Sequence, residues 1–277
     1  MADLELLASG YGLIEGPRVD EHDRLYFSDV PNGGVYRRSP DGTVEVVVPK
    51  RRGVGGMALH ADGGLVMSGR NICHSSGSEN RILFEDPEVA GFNDLHTLAD
   101  GSVVCGSLRS NPFDLDNRTR ELGSAHHIAL DGTVTVLYGE VGITNGIGIS
   151  PAGDVLYHAD THIGNVIVHD LAPGPAVSDR RLLFLEGGLQ PDGLAVDEEG
   201  GIWVALYGGG RVQRVRPNGA LDLSIEVPAS EVTSCCFGGA DRRDLYIVTA
   251  DHNDGLGGSV FRTRTEIAGL PTALARV

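Results

Sequence analysis

The chain has 277 residues with 38 acidic against 22 basic side chains, a formal charge of −16, and 41% hydrophobic content. That balance repels phosphate backbones and anionic lipid, which excludes nucleic acid and membrane as partners, while the apolar share suffices for a globular core. No run of eighteen apolar residues is present, and the start Met-Ala-Asp-Leu-Glu is acidic where a signal peptide would be basic. The expectation is a soluble, cytoplasmic protein.

In chain order, a weak strand over residues 4–8 is followed by a series of apolar pairs that each come after an Asp/Gly turn. The pairs are Leu25-Tyr26, Leu65-Val66, Val103-Val104, Val155-Leu156, Ile202-Trp203 and Leu245-Tyr246, with first residues 40, 38, 52, 47 and 43 positions apart. Between them lie further apolar runs around turn signals: residues 44–48 after Asp41-Gly42, residues 128–130 and 134–137 across Asp131-Gly132, and residues 212–215 and 221–227 across Asn218-Gly219. The clearest copy is residues 189–207, where a short strand, the acidic turn at Gly200-Gly201 and the strand Ile202 to Tyr207 form a β-hairpin.

A repeat of this length built from about four strands per unit indicates a propeller, and 277 residues over six units is about 46 each. The fold expected is an all-β, six-bladed β-propeller with four antiparallel strands per blade, forming one domain over residues 1–277. Closing the ring requires a blade shared by the two ends, with residues 4–8 beside residues 259–264. The longest break in the strand pattern, residues 109–124, reads as a polar loop carrying Phe113 and Leu115, either a lid or a surface excursion. The basic run Lys50-Arg51-Arg52 reads as a solvated loop. Cys73, Cys105, Cys235 and Cys236 lack metal or disulfide spacing and read as reduced structural thiols.

Counting ten residues back from each apolar pair gives Glu15, Gly55, Asn93, Asn145, Asp192 and Cys235. In a propeller these positions, just before the innermost strand of each blade, ring one mouth of the central channel. Asn145-Gly146 and Asp192-Gly193 taken singly are ordinary turn formers. Four oxygen-bearing side chains in register across distant blades are not explained by local turns. Two carboxylates and two amide oxygens suit a hard divalent cation, with Ca²⁺ tolerating irregular geometry best and Mg²⁺, Mn²⁺ and Zn²⁺ as alternatives.

The motifs Glu15-Gly16-Pro17, Phe92-Asn93-Asp94, Thr144-Asn145-Gly146, Pro191-Asp192-Gly193, Trp203-Val204-Ala205, Gly209-Gly210-Arg211-Val212 and Thr233 to Gly239 make the chain resemble the regucalcin (senescence marker protein)/gluconolactonase family. The resemblance implies a six-bladed propeller with one catalytic divalent metal held by Glu15, Asn145 and Asp192, and with Asn93 contacting substrate. It also implies a departure: the arginine with which the sugar-lactonase members bind substrate is replaced by Gly91.

The chemistry expected is hydrolysis of a lactone or related ester, with a metal-polarised carbonyl and Asp192 acting as base through a held water. Substrate contacts are expected from loops on the metal face, residues 71–80, 109–124, 161–164, 207–211 and 252–258. Phe113, His162 and Tyr207 would hold a less polar lactone. Two other readings stay open: a phosphotriesterase-like or other reaction in the same cup, and a non-catalytic calcium-binding propeller. No Gly-x-Ser-x-Gly elbow or dinucleotide loop competes with these. The oligomeric state is not legible.

Overall fold

A computed structural model describes residues 3–77, 79–112, 121–185, 189–251 and 255–277. These residues form six antiparallel four-stranded sheets and no helix, arranged as the six blades of a β-propeller. Each predicted apolar pair falls at or next to the start of the second strand of a blade, as Leu25–Asp29, Leu65–Met67, Val103–Leu108, Val155–Asp160, Ile202–Tyr207 and Asp244–Thr249 show. These strands are buried almost throughout because a neighbouring blade covers each face of the sheet. Outer strands such as Val134–Val141 and Leu221–Glu226 keep one face in water, and Val136 is 63% exposed.

The ring closes as expected. Glu5–Tyr11 pairs antiparallel with Gly258–Arg264, Glu5 opposite Arg262, Leu6 opposite Phe261 and Ala8 opposite Val260. An ion pair of 2.6 Å between Arg262 and Glu5 adds to this seam.

The innermost strands are Ile14–Val19, Met57–Leu59, Gly91–Thr97, Thr144–Ile149, Gln190–Val196 and Val232–Gly238. Near its beginning nearly every one carries a β-bulge. Two residues, Gly16-Pro17, Asn93-Asp94, Asn145-Gly146 or Asp192-Gly193, stand opposite one on the second strand. The sixth blade has its irregularity at Thr233, between the pairs Val232 with Thr249 and Ser234 with Val248. The residue equivalent to Asp192 there is therefore Thr233 rather than Cys235: the apolar pair Leu245-Tyr246 begins one residue inside the second strand, and the irregularity lies one residue further from the turn than in the blade of Asp192.

A shared hydrogen bond fastens each such position to the next blade. Ser28 Oγ donates to Val54 O at 2.6 Å, Asn93 Nδ2 to Thr144 O at 2.8 Å, Thr161 Oγ1 to Pro191 O at 2.7 Å and Thr233 Oγ1 to Ile14 O at 2.6 Å. In all four the accepting carbonyl belongs to the residue just before the ring position.

The opposite end of the channel is covered by the segment after the last strand. Gly269 bridges to Asp197, Ala275 bridges to His60, and Thr272 Oγ1 donates to Val19 O at 3.2 Å. Beneath this strap lies a cavity of about 450 Å³ lined by Arg18, His96, Leu98, Ile149, Cys236 and Leu270 among others. Four free, buried cysteines agree with the reading of structural thiols.

The acidic turn of the clearest hairpin belongs to this far end and is pinned by a buried charge. Asp197 accepts from Trp203 Nε1 at 2.7 Å, from Arg214 Nε at 2.7 Å and from the Gly201 amide at 2.8 Å. Asp197 is fully buried and the Arg214 side chain 6% exposed, so removing the carboxylate strands a cation and an indole donor. Asp197→Ala should lower unfolding free energy by about 3–5 kcal/mol in urea titrations. A loss below about 1 kcal/mol would mean that Asp222 and Glu199 suffice for Arg214.

Candidate functional site

The bulges bring Glu15, Asn93, Asn145 and Asp192 together at one mouth of the channel. A bulge turns a side chain that would alternate across the blade toward the axis instead, which is how four blades aim at one point. Glu15, Asn145 and Asp192 are buried and Asn93 half-buried.

The amides are held by the blade-to-blade clasps. Asn93 Nδ2 donates to Thr144 O and, at 3.1 Å, to Asn145 Oδ1, and Asn145 Nδ2 donates to Thr161 Oγ1 at 3.0 Å. At the second blade the ring position is Gly55, and a Cβ there would lie 1.7 Å from Asn93 Oδ1. The amide of Asn93 fills that place, so the second blade contributes space rather than a ligand. Behind Asn145, Thr144 Oγ1 lies 2.7 Å from His158 Nε2 and Tyr138 Oη 2.7 Å from His158 Nδ1. Burial pushes the imidazole down to about 3, so His158 stays neutral, with one ring nitrogen donating and the other accepting between the Tyr138 and Thr144 hydroxyls.

The carboxylates of Glu15 and Asp192 are in polar contact, and Asn145 makes a further contact to Asp192. Burial raises both pKa values well above the usual carboxylate range. The next cause is the Asp192 charge for Glu15, and that of Asp94 for Asp192. Glu15 Oε2 accepts a 3.3 Å bond from the Gly16 amide, whereas Asp192 Oδ1 is buried with no hydrogen-bond partner. An orphaned carboxylate oxygen beside a second buried carboxylate is costly unless a cation satisfies both. Among the described residues no three carboxylate, imidazole or thiolate groups cluster at one point. The donors here are two carboxylates plus amide oxygens, a set that fits a hard cation rather than a thiophilic one.

Directly below the ring, Asp94 accepts from the Leu95 amide at 2.7 Å and the Ile147 amide at 3.3 Å, and Arg18 reaches it at 3.4 Å. Arg18 also donates to Pro17 O at 2.7 Å and Leu95 O at 3.0 Å, crossing the channel between mouth and far cavity. Sequence reasoning missed Arg18, Asp94 and Thr161. The available signal for Arg18 was a second charged residue, after Glu15, in the short inner strand Ile14–Val19.

Of the substrate-side candidates, Tyr207 lies at the rim. Burial raises its pKa first, and then the charges of Glu231, Asp192 and Glu15, which places the phenol within their field. His162 is exposed on the loop after Thr161, its amide bound to Asp160 Oδ1 at 3.0 Å. Phe113 and Leu115 lie outside the described residues. The expected loop over residues 71–80 needs correction: Ile72–Ser76 is a strand leaving the mouth, so its following turn faces the far end, and the mouth loop of that blade is residues 68–71.

A family model described as SMP-30/Gluconolactonase/LRE-like region matches residues 13–251. The chain belongs to this family. Along the whole chain, the SMP-30/gluconolactonase fold recurs in a solved luciferin-regenerating enzyme, with a TM-score of 0.90 at 23% identity and full coverage of both chains. It recurs also in the calcium-binding protein regucalcin from Agrobacterium tumefaciens, with a TM-score of 0.85 at 22% identity over 100% of this chain and 98% of that one. Among curated relatives, the 6-deoxy-6-sulfogluconolactonase of Pseudomonas putida is 31% identical over 264 residues, covering 88% of each chain. No helix among the described residues is long and apolar enough to cross a membrane.

The raised pKa values fix a sign. A carboxyl whose folded pKa lies above its unfolded value contributes stability below the unfolded pKa and loses it as pH rises through the folded one. Metal-free protein should therefore lose thermal stability as pH climbs above the ordinary carboxylate range, on account of Glu15 and Asp192. Added Ca²⁺ should restore it, with the larger gain at the higher pH. Melting curves with chelator and with Ca²⁺ across that range check this; a Ca²⁺ effect that shrinks as the pair ionises would contradict it.

Proposed function

We propose that the chain is a divalent-metal-dependent hydrolase that opens a lactone ring. The observation that carries this reading is the orphaned Oδ1 of Asp192 next to Glu15, ringed by amides, at the mouth of a propeller whose family and curated relative are named for lactonases. Glu15, Asn145 and Asp192 would hold the cation, Ca²⁺ in preference to Mg²⁺, Mn²⁺ or Zn²⁺. When bound, it supplies Lewis-acid polarisation of the lactone carbonyl.

The chain's own groups do the rest. Asp192 takes the proton of a water placed against the carbonyl carbon; holding the cation would lower its basicity, so it acts on a water held close to both. Collapse of the tetrahedral oxyanion breaks the ring C–O bond, and the same proton passes to the departing ring oxygen, giving the hydroxy acid. The Asn93 amide and the Tyr207 hydroxyl, from the third and fifth blades, orient the lactone.

Turnover of a lactone panel should vanish with chelator and return with added Ca²⁺. Asp192→Ala should lower kcat by about 10²–10⁴-fold; near-full activity with metal still bound by calorimetry refutes its role as base. Binding of Ca²⁺ with no turnover of any lactone, ester or phosphotriester would instead favour a calcium-binding protein. Tyr207→Phe should reduce kcat/KM by about tenfold while Ca²⁺ affinity stays constant. Equal loss of metal affinity would place the phenol in the metal's support rather than at the substrate.

A further inference from the structure

Most arginines on the shell are matched with carboxylates, as Arg24 is with Asp20 and Arg264 with Asp241. One corner of the mouth departs from this. The connection from the outer strand Val44–Val48 to the inner strand Met57–Leu59 carries Lys50, Arg51 and Arg52, and the neighbouring mouth loop carries Arg70. Arg51 is half-buried and donates only to neutral oxygens: Ser68 O at 3.2 and 3.0 Å, Asn71 O at 2.9 Å and Asn71 Oδ1 at 3.0 Å. Arg70 likewise bonds the carbonyls of Asp86 and Val89, both at 3.1 Å. None of the four cations forms an ion pair among the described residues. The nearby acids are engaged elsewhere, Asp86 Oδ1 with the Glu88 amide at 2.9 Å and Glu88 with Arg109 at 3.6 Å.

This corner adjoins the place left by Gly91. A Cβ at position 91 would stand 2.9 Å from Gly69 O, because Gly69 and Phe92 exchange backbone hydrogen bonds of 2.7 and 3.3 Å. On the other side of Gly69, Arg51 Nη2 lies 3.6 Å from where a Cβ would project. The inner strand thus has no side chain at position 91, and a guanidinium from the neighbouring connection stands one strand away from Asn93.

We propose that Arg51, flanked by Lys50, Arg52 and Arg70, is an anion subsite of the mouth, and that the substrate is a lactone bearing a second, anionic group: carboxylate, sulfonate or phosphate. The proposal rests on the lactone-hydrolase reading and replaces the expectation of a less polar lactone. Four cations without carboxylates raise one another's energy, and an anion relieves them. Arg51 is already locked through Nε and Nη2, so the remaining Nη1 meets an oxyanion with little further ordering.

The test compares glucono-1,5-lactone with its 6-phosphate, its 6-sulfonate analogue and glucarolactone, using Ca²⁺-loaded protein. At least one anionic lactone should exceed the neutral one in kcat/KM by about tenfold, with an advantage that shrinks as NaCl is added. In Arg51→Gln the ratio of anionic to neutral kcat/KM should fall by about tenfold, through KM. Should that variant fold poorly, the exposed pair Lys50→Gln and Arg52→Gln should lower the ratio in the same direction. A ratio near one in the wild type, or unchanged in the variants, overturns the proposal. Calorimetric titration with gluconate and 6-phosphogluconate reads the subsite without turnover. Preference for the phosphate, lost in Arg51→Gln, upholds the subsite even where no lactone is hydrolysed, and no preference refutes it even where one is.

Discussion

Six strands converging on one axis bring backbone against backbone, and that crowding governs the rest of the structure. A Cβ on Gly146 would lie 2.3 Å from the Leu194 amide nitrogen, and one on Gly193 would lie 2.0 Å from Ser234 Oγ. The residue after the ring position is therefore glycine at Gly16, Gly146 and Gly193, the bulge turns Asn93, Asn145 and Asp192 inward and directly follows Glu15, and side chains from blades 50 or more residues apart meet. The site follows from ring closure, not from any one local motif.

This crowding also explains what the sequence made legible and what it did not. Period and turn chemistry were enough for six blades, because each second strand is buried on both faces and its apolar pair cannot be replaced by polar residues. Asn145-Gly146 and Asp192-Gly193 have the composition of turns, yet both lie inside strands, where glycine serves close approach; neither has a positive φ. Fixed spacing identified Glu15, Asn93, Asn145 and Asp192 because each keeps the same ten-residue separation from its apolar pair. It failed at Thr233, where the apolar pair begins one residue inside the second strand and the irregularity lies further from the turn, and at residues 71–80, where a short blade moves the mouth loop upstream. Arg18 and Asp94 were invisible to it, since their partnership joins residues 76 apart.

Electrostatically, the mouth is assembled against its own repulsion. Glu15, Asp192 and Asp94 lie within one another's fields in a buried setting, and among the described residues Arg18 opposes them with an ion pair to Asp94. A fold that tolerates such a cluster holds it by hydrogen bonds around the rim: Thr161 and Asn93 on Asn145, backbone amides on Asp94, and neutral His158 behind Thr144. Fixing acceptors in this way means that a cation entering the ring meets oxygens already in place, with little ordering left to oppose binding.

The two ends of the channel differ in kind. The far cavity is roomy, but its walls are mostly aliphatic, its cysteines are neutral because burial pushes Cys236 up to about 12, and burial holds His96 down at about 4. Nothing there is charged except Arg18, whose bonds run upward to Asp94 and to the Pro17 and Leu95 carbonyls. Among the described residues the cavity lining holds one buried polar atom without a partner, the neutral Thr97 Oγ1, and no carboxylate to serve as base or metal ligand. The mouth differs in holding a buried carboxylate oxygen that lacks a partner. That contrast is why the proposed chemistry is assigned to the mouth, while the strap over residues 268–275 closes the channel's other end.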